Sequence, residues 1–224
     1  MKIGIIGGTG GMGEGFALRW CTNHEIIIGS RDKAKAQEAA ERYHGIAKEV
    51  YKKIKGNITG EDNSTLAKNS DILLLSIPYE TINDTCSKIA DDVRESCIVV
   101  SPIVPMTRVP EKGWIYLPFE NGTKTAAELV AANFRPGTKV VSAFHTISEV
   151  KLRDIKYDID GDTYVCSNDL DSVKIINQLI YELSLRPIYL GQLSLTYQAE
   201  VMTPMILNAA RRNRLKQPGL KLTN

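Results

Sequence analysis

A cluster of glycines near the start of the chain has the spacing of a dinucleotide-binding turn. Residues 7–13 read Gly-Gly-Thr-Gly-Gly-Met-Gly, so the pattern GxGxxG falls on Gly8, Gly10 and Gly13. In this pattern the first glycine allows a tight turn, the second lets the backbone approach a pyrophosphate, and the third allows close helix packing. Free N–H groups at the start of the following helix attract phosphate. We therefore predict that a dinucleotide binds at this turn.

The residues after the second predicted strand indicate which dinucleotide is bound. Chains that bind NAD place Asp or Glu at this point, where it bonds the ribose 2′-hydroxyl. This chain has Ser30 and Arg31 there, and a hydroxyl with a guanidinium suits a 2′-phosphate. Asp32 is expected to cap the next helix, and Lys33 to lie on that helix's solvated face. The predicted cofactor is NADP(H).

Three loops follow predicted strands and should meet where the nicotinamide lies, since ligands of parallel sheets bind beyond the carboxyl ends of the strands. These loops are residues 76–79, 101–106 and 143–147. His145 stands where a nicotinamide or a second substrate would stack, although a core histidine bonded to backbone explains it equally well. No paired carboxylate, Ser/His/Asp set or Lys–Glu base occurs around these loops. This suggests hydride transfer to another planar heterocycle, in which positioning supplies most of the catalysis.

Composition is that of an ordinary globular protein and excludes several classes. The net charge of +2 gives no reason to expect nucleic acid, because neutralising phosphates needs a concentrated basic face. Apolar runs such as Ile72–Ile77 are too short to cross a membrane, and a strand pattern begins at Lys2, so we expect neither a membrane span nor a signal peptide. The cysteines lie apart from one another and from histidine, at Cys21, Cys86, Cys97 and Cys166. We expect reduced thiols, no metal site and a cytoplasmic location.

Strand and helix patterns alternate along the chain. Predicted strands are Lys2–Ile6, Glu25–Ile28, Asp71–Ile77, Cys97–Val100, Lys139–Phe144, Thr163–Cys166 and Pro187–Leu190. Predicted helices are Met12–Trp20, 32–55, 80–92, 169–184 and 196–214. Such alternation predicts an α/β fold with a Rossmann-like, doubly wound parallel sheet in residues 1–147. Residues 148–224 are expected to form a small C-terminal α/β domain that packs on this sheet.

Several longer stretches resemble the reduced coenzyme F420:NADP oxidoreductases of archaea and actinobacteria, also called NADPH-dependent F420 reductases. The stretches are IGIIGGTGGMGEGFALRW, IIIGSR, ILLLSIPYE, IVVSPIVP, VVSAFHTI and MTPMILNAARRNR. They cover nearly the whole chain, and GSR with SPIVP and SAFHTI is far more specific than the glycine pattern. The resemblance implies a homodimer that transfers a hydride reversibly between NADP(H) and coenzyme F420, an 8-hydroxy-5-deazaflavin whose ring stacks on the nicotinamide.

The resemblance also implies individual site residues by position. The cofactor-binding positions are Thr9, Gly10, Gly11, Met12, Ser30, Arg31, Lys35, Tyr79, Asn83, Met106, Glu149 and Pro218. The positions from Thr9 to Met12 match the pyrophosphate turn. Ser30, Arg31 and Lys35 match the 2′-phosphate pocket. Tyr79, Asn83 and Met106 match other contacts to NADP. Glu149 matches a backbone contact to the carboxamide, and Pro218 matches a segment that touches the deazaflavin. His145 and Ile147, beside the stacked rings, are the catalytic candidates.

Two departures from the family pattern are visible. Ser148 follows Ile147 where the family often has proline, and Pro218 stands where an aliphatic residue is common.

Other functions remain compatible with the residues. One is a non-enzymatic NADP-sensing domain, and another is an NADPH-dependent flavin or metal reductase, although the haem-ligand histidine pairs of membrane reductases are missing. A basic cluster closes the chain's last helix, at Arg211, Arg212, Arg214 and Lys216. These cations complement the helix dipole, or they attract the anionic tail of the deazaflavin. The same helix carries apolar residues that we assign to a dimer contact, namely Val201, Met202, Met205, Ile206 and Leu207.

Overall fold

The computed structural model of the protein describes residues 1–117 and 125–224. The strands are β1 (Lys2–Ile6), β2 (Glu25–Ser30), β3 (Ile58–Asp62), β4 (Ile72–Leu75), β5 (Ile98–Ser101), β6 (Met106–Val109), β7 (Gly113–Tyr116), β8 (Lys139–Ser142), β9 (Asp162–Ser167) and β10 (Arg186–Gly191). The helices are α1 (Gly11–Trp20), α2 (Lys33–Val50), α3 (Asn63–Asn69), α4 (Ile82–Ile89), α5 (Ala126–Ala132), α6 (Glu149–Arg153), α7 (Leu170–Tyr181), α8 (Tyr197–Glu200) and α9 (Met202–Asn213).

Within the described residues, eight strands form one sheet in the order β10-β9-β8-β5-β4-β1-β2-β3. Six neighbouring strands pair in parallel, namely β8, β5, β4, β1, β2 and β3. β9 runs antiparallel to β8, and β10 is parallel to β9. β4 and β5 are buried along their whole length, as strands covered on both faces must be. The fold is a Rossmann-like α/β fold, as predicted.

Helices cover both faces of the sheet and divide the core into two clusters. On one face Phe16 and Trp20 of α1 pack with Tyr43 of α2 and with α7. On the other face α3, α4 and α5 cover β4 and β5, for example through Leu66 and Val130. Because the strand order reverses between β1 and β4, a crevice opens at the carboxyl ends of these two strands.

The structure corrects several predicted elements. The helix predicted for 32–55 ends at Val50, because the N–H groups of Lys55 and Gly56 bond the carbonyls of Thr22 and Cys21 and draw the chain away. The segment 80–92 contains a 3₁₀ turn followed by α4, and the final helix is interrupted at Val201. Five further features, all of them short, were not predicted from the sequence: β3, α3, the β6–β7 hairpin, α5 and α6.

The C-terminal residues continue the same sheet. β9 pairs with β8 across the predicted division at residue 147. Arg186 of β10 forms a bidentate salt bridge with Asp162 of β9, with two hydrogen bonds of 2.8 Å. The last described residues return to this point, where the Leu222 N–H donates to the Asp162 carboxylate at 2.7 Å. The division into two domains therefore stays a prediction. In the described ranges no helix is both long enough and apolar enough to cross a membrane.

Candidate active site

A cleft of about 1010 Å³ lies at the carboxyl ends of the strands. The turn after β1, the end of β2, the loops after β4, β5 and β8, and one side of α9 line it. It brings together most of the predicted residues, namely Thr9, Gly10, Gly11, Met12, Ser30, Arg31, Tyr79, Met106, His145, Ile147, Glu149 and Pro218. Lys35 and Asn83 are not among its lining residues.

The glycine turn after β1 is tightly packed against neighbouring backbone. Gly7 has φ of +71°, and a Cβ there would lie 2.2 Å from the Ser76 carbonyl oxygen, so Gly7 and not Gly8 carries the left-handed turn. Gly13 packs on Gly8 as the pattern predicts, because a Cβ on Gly13 would lie 2.6 Å from the Gly8 Cα. The Tyr43 hydroxyl on α2 donates a 3.1 Å hydrogen bond to the Gly8 carbonyl and steadies the turn.

The N-terminus of α1 faces this cleft and has a carboxylate beside it. Helix geometry leaves the first N–H groups of α1 without intrahelical acceptors. A Cβ on Gly11 would lie 2.0 Å from Glu149 Oε1, so the Glu149 side chain rests directly against the start of the helix. Arg153 approaches the same oxygen at 3.7 Å. An anion therefore already occupies part of the space that a phosphate would take.

Helix α6, which carries Glu149, is held against α1 by one buried arginine. Arg19 donates to backbone carbonyls at 2.8 to 2.9 Å, those of Lys151, Leu152, Asp154 and Tyr157. Gly15 allows the close approach, since a Cβ there would lie 2.7 Å from Leu152 Cγ. The segment after β8 is thus positioned by a helix more than 130 residues earlier.

The end of β2 presents the predicted 2′-phosphate group contacts. Ser30 and the exposed Arg31 line the cleft, and the Ser30 hydroxyl accepts from the Asp32 N–H at 3.2 Å. Asp32 caps α2 as predicted, through the N–H groups of Ala34 at 3.0 Å and Lys35 at 3.4 Å. Lys33, assigned to a solvated face, pairs with Glu61 of β3 at 2.7 Å.

Asn83 lies outside the cleft wall. Its side chain is exposed, and its Oδ1 accepts a 2.9 Å hydrogen bond from Asn133 at the end of α5. The residues of the same segment that do line the cleft are Tyr79, Thr81, Asp84 and Thr85. Asn83 thus lies between residues that line the cleft, on a side of α4 that faces α5.

The loop after β8 turns sharply at Phe144, the residue before His145. Phe144 has φ of +72°, a backbone conformation that costs roughly 1–3 kcal/mol in a residue other than glycine. Its ring is buried against Phe16, with centroids 5.1 Å apart, and its N–H donates to the Thr163 hydroxyl at 2.9 Å. The strained turn lets the Phe144 ring pack in the core, and both Phe144 and His145 contribute to the cleft wall.

His145 is buried and uncharged, yet its ring is largely unsatisfied. Only 5 % of the residue is exposed, and burial lowers the pKa of the imidazole to about 3. The Nε2 atom lies 3.4 Å from the Ser142 hydroxyl, and Nδ1 has no hydrogen-bond partner in the described part of the chain. A neutral ring with a free nitrogen can hydrogen-bond a bound heterocycle, but it cannot act as a strong acid at neutral pH.

Apolar side chains form part of the remaining wall, and the metal-ligating residue types are scattered. Ile147 and Val104 line the cleft from the loops, and Ile206 and Leu207 line it from α9. All four cysteines are free and buried, and burial raises their thiol pKa values, to about 12 for Cys86. Across residues 1–117 and 125–224 no group of three His, Cys, Asp or Glu side chains could hold a metal ion.

Comparison with known proteins extends over the whole chain. Residues 2–105 match the family model described as NADP oxidoreductase, coenzyme F420-dependent. The F420-dependent NADP reductase of Methanocaldococcus jannaschii is 37% identical over 228 residues, which cover 100% of this chain and 99% of that protein. The enzyme of the same name from Methanothermobacter thermautotrophicus is 31% identical and is covered to 95%. A solved structure from Arthrobacter sp. FB24 superposes with a TM-score of 0.81 over 100% of both chains, and at 19% identity it shows the shared fold.

Proposed function

The chain belongs to the coenzyme F420-dependent NADP oxidoreductases, and we propose that it transfers a hydride reversibly between reduced coenzyme F420 and NADP⁺. One observation carries this proposal from the structure. One cleft of about 1010 Å³ is lined by the glycine turn, the Ser30–Arg31 pair, His145 and one side of α9, so the proposed contacts at the two ends of a dinucleotide lie in the same cleft. Both coenzymes are substrates of the reaction.

We assign the two ends of the cleft to the two ends of NADP(H). The pyrophosphate would lie on the start of α1 over Thr9, Gly10, Gly11 and Met12, where N–H groups and the helix dipole favour an anion. The Glu149 carboxylate must then withdraw, because it occupies the same place with the same charge. Its backbone remains the proposed contact to the carboxamide.

The 2′-phosphate would lie on Ser30 and Arg31, and Lys35 on the first turn of α2 is a further proposed contact. The proposed contacts along the rest of the cofactor are Tyr79, Asn83 and Met106, of which Tyr79 and Met106 line the cleft. Pro218, at the far wall, would touch the deazaflavin.

Stacking of two planar rings accounts for most of the proposed catalysis. The apolar walls exclude water and hold the rings in van der Waals contact, which converts hydride transfer into a step within one complex. Charge that develops on the deazaflavin carbonyls during transfer would be stabilised by a hydrogen bond from His145 and by the backbone N–H groups of Thr146 and Ile147. His145 stays neutral throughout, since its burial opposes protonation.

The test is to mix the protein with NADPH and oxidised coenzyme F420 and to follow the loss of the deazaflavin's visible absorbance. Parallel reactions contain FMN or a ferric chelate in place of the deazaflavin. We expect rapid bleaching of the deazaflavin alone. Oxidation of NADPH with flavin or iron instead would favour a flavin or metal reductase, and tight NADPH binding without any acceptor would favour a sensing domain.

A homodimer in the cytoplasm completes the proposal. Tyr197, Val201 and Met205 are spaced four residues apart, and they are 42%, 38% and 53% exposed. Ile206 is buried, and Met202 and Leu207 are half-buried, so the dimer contact would use only part of the predicted apolar set. Light scattering at micromolar concentration is expected to give twice 24.8 kDa, and a mass near 24.8 kDa would contradict the dimer.

A further inference from the structure

One cleft residue outside the set assigned above has an unsatisfied buried oxygen. Asn63 lines the cleft beside Ser30 and Arg31, at the end assigned to the 2′-phosphate. Its Oδ1 is buried and has no hydrogen-bond partner among the residues that the structure describes. An unpaired buried acceptor lowers the stability of a protein, so its presence calls for a partner from outside the chain.

Local structure explains why Asn63 is free to serve a ligand. β3 pairs with β2 so that Asp62 lies opposite Ser30, and Asn63 is the next residue, at the start of α3. Capping of α3 falls to Asp62, whose carboxylate accepts from the Thr65 N–H at 2.9 Å and from the Thr65 hydroxyl at 2.7 Å. The Asn63 side-chain amide therefore does not cap the N-terminus of α3.

The neighbouring strand leaves room for this amide. A Cβ on Gly29 would lie 2.9 Å from Asn63 Oδ1, so any side chain at position 29 would push the amide away. The oxygen is turned in against the Gly29 backbone. Rotation about the Asn63 Cβ–Cγ bond exchanges the amide oxygen and nitrogen, so the side chain can offer either end to a ligand in the cleft that it lines.

We propose that Asn63 is a specificity-determining residue that recognises the adenine base of NADP(H). The inference rests on the proposed cofactor orientation. With the pyrophosphate at β1 and the 2′-phosphate at the end of β2, the base continues outward to the end of β3, where Asn63 lies. Adenine presents an amino donor beside a ring-nitrogen acceptor, and the asparagine amide presents the complementary acceptor and donor.

The test compares the affinity for NADPH with that for its hypoxanthine analogue, in which a carbonyl replaces the 6-amino group. The wild-type protein is expected to bind NADPH about three- to tenfold more tightly, the worth of one neutral hydrogen bond. Asn63→Ala should weaken NADPH binding by a similar factor and bind both cofactors equally. The matched control Asn57→Ala, at an exposed position before β3, should keep the wild-type preference.

Thermal unfolding without cofactor separates recognition from a structural role. Since Asn63→Ala removes an unpaired acceptor, its melting temperature should equal or exceed that of the wild type. A clearly lower melting temperature with an unchanged preference between the two cofactors would overturn the proposal.

The wild-type comparison needs no variant and distinguishes the two levels of inference. Equal binding of both cofactors would overturn adenine recognition alone, whereas no binding of either would also remove the proposed function.

Discussion

The Thr203 hydroxyl donates a 2.7 Å hydrogen bond to the backbone carbonyl of His145. This bond joins the loop after β8 to the first turn of α9, and both elements line the same cleft. Phe144, just before, holds the loop from the core side. The position of the His145 ring therefore depends on two anchors, one in the core and one on α9.

Loss of the α9 anchor should impair catalysis without unfolding the protein. Thr203→Val keeps the shape of the side chain but leaves the His145 carbonyl without this donor. We expect kcat to fall by about three- to tenfold, since one neutral hydrogen bond is lost and the ring geometry loosens. The matched control is Thr59→Val, whose hydroxyl bonds the Ile26 carbonyl on the far edge of the sheet. Equal kcat in wild type and Thr203→Val would show that this anchor is dispensable.

His145 itself should matter for turnover more than for binding. For His145→Ala we expect kcat to fall by about ten- to a hundredfold, because a hydrogen bond to the developing charge is lost while ring stacking remains. NADPH affinity should change little, since the phosphates are held elsewhere. A purely structural His145 would instead lower the melting temperature and every affinity together, so calorimetry, NADPH titration and turnover are measured on the same preparation.

Arg31 should decide the preference for NADPH over NADH. Arg31→Asp removes a charge-assisted contact to the 2′-phosphate and adds repulsion, so we expect NADPH to bind about a hundredfold more weakly, with NADH little affected. Lys52→Asp, at an exposed position after α2, makes the same change in net charge away from the cleft. A variant that retains the preference for NADPH would place the 2′-phosphate somewhere other than the end of β2.

The basic cluster at the end of α9 is expected to attract the anionic tail of the deazaflavin. Arg211, Arg212 and Arg214 are exposed, and the chain beyond them returns to the cleft wall at Leu215 and Pro218. The double variant Arg211→Gln with Arg214→Gln should raise KM for the full coenzyme about three- to tenfold at low salt, and less at high salt. KM for the deazaflavin without its tail should not change. An equal increase in KM for the full coenzyme and for the tail-less deazaflavin would mean that the cluster acts on the deazaflavin ring or on the fold, and not on the tail.

A buried carboxyl group should make stability depend on pH near neutrality. Glu200 accepts from the Tyr116 hydroxyl at 2.6 Å and from the Ala126 N–H at 2.8 Å, and burial raises its pKa from 4.5 to about 7. Because the folded pKa exceeds the unfolded one, this group's contribution to stability is complete below about pH 4.5 and is lost as pH rises toward 7.

Glu200→Gln removes this ionisation while keeping the shape of the side chain. We expect the free energy of unfolding of the variant, relative to that of the wild type, to be about 2 to 3 kcal/mol more favourable at pH 8 than at pH 5. Urea unfolding at both pH values measures this difference in unfolding free energy. The control is Glu95→Gln, at an exposed position. A difference independent of pH would mean that Glu200 does not titrate in this range.

Local patterns were sufficient for much of the fold and for several local features of the cleft wall. The strand β4 and its continuous apolar run, the glycine turn and the Asp32 cap each depend on residues within a few positions of one another. Their geometry follows from steric limits and hydrogen bonds inside one segment, so they were predicted with bounds correct to a few residues. The Ser30–Arg31 pair likewise followed from its place at the end of β2.

Only the tertiary structure decided which side chains are left without partners and which distant segments meet. Asn63 was not predicted as a site residue, because the strand before it, β3, is five residues long and lacks an uninterrupted apolar run. The free nitrogen of His145, the left-handed Phe144 and the clamp of Arg19 on α6 involve contacts between segments far apart in sequence. Whether a buried polar atom finds a donor depends on everything packed around it in three dimensions, and no local pattern in the chain records that.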